Sequence, residues 1–330
     1  MNKYAIVTNA HGERYKQLSM LTTPLSSRYA ASIGVDFLAF SEAPEDRHPA
    51  WAKITLCERA LKMGYEWVCW VDTDAFFVSR ENIFDLIDDD YFFICQRDAY
   101  IPDPRGEMSR WGSLVPSRDH IKMVKQEKWY KQMPEYARKI FESQPPCRVD
   151  FDGQMAVCSD PFVSAEWLAA ICCLTQVDSS QLKQLCKNPF FLNSGLFLLK
   201  NCDKSFDFFD KVYNKAAHGS LPGQSVRRGG ICVTEGGKME PAMEKILWDR
   251  WGWEQIAIQA VAIDEPEYKE GMKLYEYGEI WTVPSDIEKY LNIFAVHILG
   301  HLDLDFKIKY LKTAALKTVD FEEIFSQSLS

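Results

Sequence analysis

An α/β fold on a parallel, doubly wound sheet is what this 330-residue sequence predicts, and three observations predict it. The first 75 residues alternate as strand, helix, strand, helix, strand. The strand candidates are continuous apolar runs, as strands buried on both faces require. The first and third runs end in polar residues, at the edge where such sheets bind ligands.

The elements follow in order. "YAIVTN" (Tyr4–Asn9) is the first strand, and a helix over roughly 15–33 stops at Gly34. "VDFLAF" (Val35–Phe40) is the second strand. In "HPAWAKITLCERALKMG", Pro49 suits the first turn of a helix, Ile54, Cys57 and Leu61 share a face, and Gly64 ends it. "EWVCWV" (Glu66–Val71) and "YFFIC" (Tyr91–Cys95) are further strands. Residues 97–188 are less regular, broken by prolines, with a polar helix around 121–141; they read as a large insertion or lid subdomain. "FFLNSGLFLLKN" (Phe190–Asn201) returns to strand character before a helix over 205–213. The glycine-rich stretch 218–238 reads as a mobile loop. A helix opens near Trp253, and short strands lie near Leu274 and Phe294. The expected organisation is one domain over 1–312 and a C-terminal tail over 313–330, with no internal repeat.

Composition narrows the function. A formal net charge of -9 argues against a nucleic-acid partner. Ten cysteines without zinc spacing point to a reducing compartment. No secretory signal or integral membrane segment is visible, so a cytoplasmic location is expected.

"WVCWVDTDAFF" (Trp67–Phe77) carries the chemistry. Two carboxylates, Asp72 and Asp74, follow a buried strand, where an uncompensated charge is costly. Alternation puts both on one side, and hard oxygen ligands suit Mg²⁺ or Mn²⁺. A turn-forming role accounts for the same pair on placement alone. Asp88, Asp89 and Asp90 read as a solvated turn. Lys53 stands in a helical first turn, where the dipole disfavours a cation, so function or simple exposure must account for it.

Four blocks resemble the retaining GT-A glycosyltransferases, most closely glycosyltransferase family 34 of plant xyloglucan α-xylosyltransferases and fungal α-galactosyl- and α-mannosyltransferases. They are Trp51-Ala52-Lys53 with Asp72-Thr73-Asp74-Ala75-Phe76-Phe77; "FLNSGLFLLKNCDKSFDFFD" (Phe191–Asp210); "WEQIAI" (Trp253–Ile258); and "HILG" (His297–Gly300). The resemblance does not cover the region between about 97 and 188. It implies a GT-A fold, with a Rossmann-like, mostly parallel sheet flanked by helices. It also implies metal-dependent, retaining transfer of a galactose-, xylose- or mannose-class sugar in glycan biosynthesis. The donor would be a UDP- or GDP-linked sugar and the acceptor a hydroxyl of a glycan or other molecule.

Residue by residue, the resemblance implies Asp72, Asp74 and His297 as ligands of Mn²⁺ or Mg²⁺. It implies Thr8, Asn9, Lys53, Asp72, Thr73, Ser194, Gly195 and Gly300 at the nucleotide sugar, and Asn193, Glu254 and Gln255 at the reacting sugar. A phosphate-binding lysine expected after Gly300 is Asp303 here; Lys307 and Lys309 are the nearest lysines, and Arg227, Arg228 and Lys238 are other candidates. Two other classes stay open. A sugar nucleotidyltransferase would carry a glycine-rich basic loop after the first strand, and "TNAHGERYKQL" has one glycine. A catalytically silent sugar-binding protein of the same fold would be told apart by activity.

Overall fold

The computed structural model describes residues 2–45, 49–97, 148–151, 154–157, 192–218, 253–276, 278–282, 293–297 and 307–308. In chain order the elements are β1 (Tyr4–Asn9), α1 (Glu13–Ser32), β2 (Asp36–Phe40), α2 (Ala52–Lys62), β3 (Trp67–Val71), β4 (Ala75–Phe77), β5 (Phe93–Arg97), β6 (Arg148–Phe151), β7 (Gln154–Val157), β8 (Leu192–Lys200), α3 (Asp203–His218), α4 (Trp253–Asp264), α5 (Pro266–Glu270), β9 (Met272–Tyr275), β10 (Trp281–Thr282) and β11 (Ala295–His297). The central sheet has six strands in the order β2-β1-β3-β8-β5-β9. It is mostly parallel, as predicted. The exception is β8, which runs antiparallel to β3 and β5.

Side-chain alternation divides the core into two layers. Ala5, Val7, Val68, Trp70, Phe93, Cys95, Phe197 and Leu199 face α2, α3 and α4. Ile6, Trp67, Cys69, Val71, Ile94, Leu196 and Leu198 face α1 and a smaller sheet. Both sides of β1, β3, β5 and β8 are therefore largely apolar, which is why their runs read as continuous. Ile54, Cys57 and Leu61 are buried as expected. Pro49 lies in a 3₁₀ turn (Pro49–Trp51) just before α2 rather than inside it. Gly34 and Gly64 have φ of 72° and 103°, left-handed values that let each helix turn back into a strand. β5 lies two residues later than expected.

The smaller sheet, β10-β11-β4, positions the site. β11 pairs antiparallel with β4 and sets His297 opposite Ala75, beside Asp74. Gln96 fastens this sheet to the larger one. Its Nε2 donates to Trp281 O (2.9 Å), and its Oε1 accepts from Ile280 N (2.7 Å) and Trp281 N (2.9 Å). Gln96 is fully buried, so these bonds satisfy an amide that would otherwise be costly to bury. β6 and β7 pair antiparallel within the region read as an insertion. The expected helix over 121–141, the loop 219–238 and the tail 313–330 lie outside the described residues. Among the described residues no helix is long and apolar enough to cross a membrane.

Candidate functional site

The two aspartates are presented by a turn between β3 and β4, rather than by continuous alternation. Ala75 N donates to Asp72 O (3.0 Å), closing the turn. Thr73 points its hydroxyl at Asn9 O (2.5 Å), and Thr22 holds Thr73 O (2.7 Å), tying the turn to β1 and α1. His297 Nε2 then stands 3.2 Å from Asp74 Oδ1 and 3.9 Å from Asp72 Oδ2. One ligand atom from each of the three residues lies within 4.8 Å of the other two. Two carboxylates and an imidazole form a donor set that fits a divalent ion such as Mn²⁺.

Gly195 explains how the histidine gets so close. A Cβ at this position would lie 2.1 Å from His297 Cε1 and 2.7 Å from Nδ1. Only a glycine leaves room for the ring, which Trp281 supports edge-on at 5.1 Å between centroids. Gly195 N donates to Asn193 Oδ1 (2.8 Å), and Gly195 O accepts from Asp72 N (2.8 Å). The Asn193-Ser194-Gly195 segment thus braces both the histidine and the first aspartate.

The far oxygens of the aspartates face cations. Asp72 Oδ1 accepts from Trp70 Nε1 (2.6 Å) and pairs with Lys53 Nζ (3.1 Å). Asp74 Oδ2 pairs with Lys307. Lys53 also pairs with Glu254 Oε1 (2.6 Å) and donates to Ser194 O (2.9 Å). Ser194 Oγ donates to Glu254 Oε1 (2.9 Å), and Gln255 Oε1 accepts from Ser194 N (3.0 Å). Lys53 is buried, not exposed: it joins α2, β3, β8 and α4.

Burial and charge act against each other here. For Lys53 burial works to lower the pKa, and Asp72 and Glu254 overcome it, so the ammonium titrates above its ordinary value. For Asp74 burial works to raise the pKa, and Lys307 and His297 overcome it, so its carboxyl stays below the usual range. Glu254 goes the other way. Its burial outweighs Lys53, Asp72 adds repulsion, and its pKa is raised. Glu254 Oε2 and His297 Nδ1 are buried without a hydrogen-bond partner.

The remaining expected residues fall around this cluster. Thr8 is buried at the end of β1. Asn9 is clamped to the loop after β2, its Nδ2 donating to Glu42 O and its Oδ1 accepting from Glu42 N, both at 2.9 Å. Gly300, Asp303, Lys309, Arg227, Arg228 and Lys238 lie outside the described residues. Sequence reasoning missed Trp70 and Gln96. It also missed Tyr15, whose phenol is raised by burial and by the nearby charges of Asp74, Asp72 and Glu254.

No protein-family model matches the chain, and no curated protein matches it. Among solved structures, the chain is similar at 9% identity to a glycosyltransferase involved in the glycosylation of the major capsid of PBCV-1. That likeness covers 94% of this chain and 99% of the other, with a TM-score of 0.47. A weaker likeness, to A197 from STIV, has 13% identity and a TM-score of 0.22, covering 30% of this chain and 47% of that one.

Proposed function

We propose that the chain is a metal-dependent, retaining glycosyltransferase with a GT-A fold. It would move a galactose-, xylose- or mannose-class sugar from a UDP- or GDP-linked donor to a hydroxyl of a glycan or other acceptor. One observation supports this most. Residues from all four sequence blocks meet beyond the carboxyl ends of β1 and β3: Lys53, Asp72 and Asp74; Asn193, Ser194 and Gly195; Glu254 and Gln255; and His297. Nothing in separate structural roles requires such a meeting, and ligands bind at that edge of parallel sheets.

A divalent ion, Mn²⁺ or Mg²⁺, held by Asp72, Asp74 and His297 would supply Lewis-acid neutralisation of a diphosphate leaving group. The chain's own residues do the rest. Lys53 fixes Asp72 and Glu254 together, and Glu254 keeps an unbonded oxygen, Oε2, able to accept from a sugar hydroxyl. Gln255, whose Oε1 accepts from Ser194 N, and Asn193 would line the donor sugar. Thr8, Asn9 and Thr73 would line the nucleotide side.

Asp72, Asp74 and Glu254 each face a lysine, so none of the three is placed as an unpaired nucleophile of the kind a retaining glycosidase uses. Front-face substitution fits better. The acceptor oxygen bonds to the anomeric carbon on the side from which the diphosphate departs, and its proton passes to the leaving phosphate.

The test is donor hydrolysis across a panel of UDP and GDP sugars, with and without Mn²⁺, on the parent and Asp74→Ala. Slow, metal-dependent release of UDP or GDP from one sugar, lost in the variant, is the expected outcome. Metal-dependent donor binding without turnover would point instead to a sugar-binding protein. The absence of both metal-dependent binding and release, with every donor, would overturn the metal-site reading.

A further inference from the structure

β3 carries two tryptophans, Trp67 and Trp70, each 3% exposed. They lie on opposite faces of the sheet, Trp67 in the layer with α1 and Trp70 in the layer with α2. An indole N–H can only donate, and burying it without an acceptor is costly. Trp70 gives its N–H to Asp72, two residues on and so on the same side of the chain: Nε1 donates to Oδ1 at 2.6 Å. The backbone of Asp72 is already fixed, its N donating to Gly195 O (2.8 Å) and its O accepting from Ala75 N (3.0 Å). What is left to set is the turn of the carboxylate. Oδ1 is the oxygen held by both Trp70 Nε1 and Lys53 Nζ (3.1 Å), and Oδ2 is the one turned towards His297 Nε2 (3.9 Å).

We infer that Trp70 is a positioning residue for the metal site: its indole N–H holds Asp72 Oδ1, so that Asp72 meets the divalent ion through Oδ2 alone. The inference rests on the metal reading above. The two donors on Oδ1 differ in kind. Lys53 is a compact point charge with rotatable hydrogens, and it also serves Glu254 Oε1 and Ser194 O. The indole has one N–H in the plane of a rigid, buried ring, so it sets a direction. A carboxylate is planar, so pinning one oxygen aims the other. The bond runs to an ionised acceptor, which makes it stronger than a neutral one. Partners that orient a metal ligand from behind in this way are worth about 10–100-fold in metal affinity. A single oxygen from Asp72 also suits Mn²⁺ or Mg²⁺ better than Ca²⁺, which takes more oxygen ligands and accepts both oxygens of one carboxylate. Trp70 therefore bears on the choice of ion as well as on its affinity.

The test is Mn²⁺ binding, followed by the electron paramagnetic resonance of free Mn²⁺ with Ca²⁺ as competitor, for the parent, Trp70→Phe and Trp67→Phe. Trp70→Phe keeps an aromatic ring and removes the N–H, and it is expected to bind Mn²⁺ about 10–100-fold more weakly than the parent. Its preference for Mn²⁺ over Ca²⁺ should narrow, because a carboxylate free to turn can offer both oxygens to the larger ion. Trp67→Phe loses the same atoms from the other face of the same strand, and should keep the parental affinity and preference. In case Trp70→Phe does not fold, a second readout uses the parent alone. The indole proton of Trp70, shifted downfield in NMR by its bond to a carboxylate, should stay there in saturating Mg²⁺, a diamagnetic ion. Its return to the range of the other indole protons would mean that Asp72 turns Oδ1 to the ion, and overturns the inference. Parental Mn²⁺ binding by folded Trp70→Phe overturns it too, as does an equal loss in Trp67→Phe or an unchanged ion preference in Trp70→Phe; each leaves the metal reading standing. Failure of the parent and both variants to bind Mn²⁺ overturns the inference and the metal reading together.

Discussion

Two acidic clusters occupy opposite edges of the central sheet, and they share residue types but little else. Asp72, Asp74 and Glu254 lie beyond the carboxyl end of β3, against Lys53 and Lys307. Asp88 and Asp89 lie just ahead of β5, against Lys273 and Lys200. In the first cluster the lysines are 4% exposed; in the second they are about a third exposed, and Asp89 is 83% exposed. Water screens the second set, and its pairs add little to stability. The first set is largely shielded from water, so its charges depend on the protein groups around them. The same carboxylate–lysine chemistry thus yields a solvated turn at one edge and a pre-assembled, charge-balanced site at the other.

The largest effect should come from Lys53→Met. It strips the counterion from Glu254, which is buried, and from Asp72, which is 29% exposed. A loss of about 3–5 kcal/mol is expected, measured by urea denaturation at pH 7. Lys200→Ala, at the other edge, should leave the urea midpoint nearly unchanged. A Lys53→Met variant as stable as the parent would break the contrast.

Gly195→Ala should come next. A methyl group 2.1 Å from His297 Cε1 must push the ring away or shift β8, and overpacking of this kind costs about 1–3 kcal/mol. Mn²⁺ affinity should fall with it, because His297 leaves the donor set while both aspartates stay. An alanine variant with parental stability and parental Mn²⁺ binding would show that His297 is not held there by Gly195.

How much of this was legible in the sequence follows from the range of each interaction. β1 and β3 were readable because burial on both faces leaves uninterrupted apolar runs. The direction of β8 was not, because "LNSGLFLLK" is equally apolar read either way and pairs with strands about 100 (β5) and about 130 (β3) residues distant. Asp72 and Asp74 were visible as charges where charge is costly, and His297 through its short motif. Lys53 gave half a signal: a cation in a helical first turn needed an explanation, but its burial depends on Glu254, 201 positions away. Lys307 was noted only as a nearby lysine, since its partner is 233 residues distant. Gly195 read as part of a donor-binding motif, and its steric reason needed the ring of His297 in place.

The smallest effect sharpens the comparison from the exposed side. Asp88 is held below its ordinary value of 3.8, first by the hydrogen bond from Lys273 Nζ (3.0 Å) and then by Asp90 N (3.2 Å). A carboxyl depressed in the folded state stabilises the fold above its unfolded pKa, and that contribution is lost as pH falls through the folded value. For Asp88 the contribution should be too small to move the urea midpoint, because the pair is open to solvent. The pKa itself should still report the pair. In a carbon-13 NMR titration, Asp88 should titrate below 3.8 in the parent and move back towards it in Lys273→Ala. The return should be partial, because Asp90 N remains. Added salt should move the parent the same way, as screening weakens exposed pairs. A shift that resists salt would mean that the outer cluster is shielded like the inner one, and burial would then not be what separates the two.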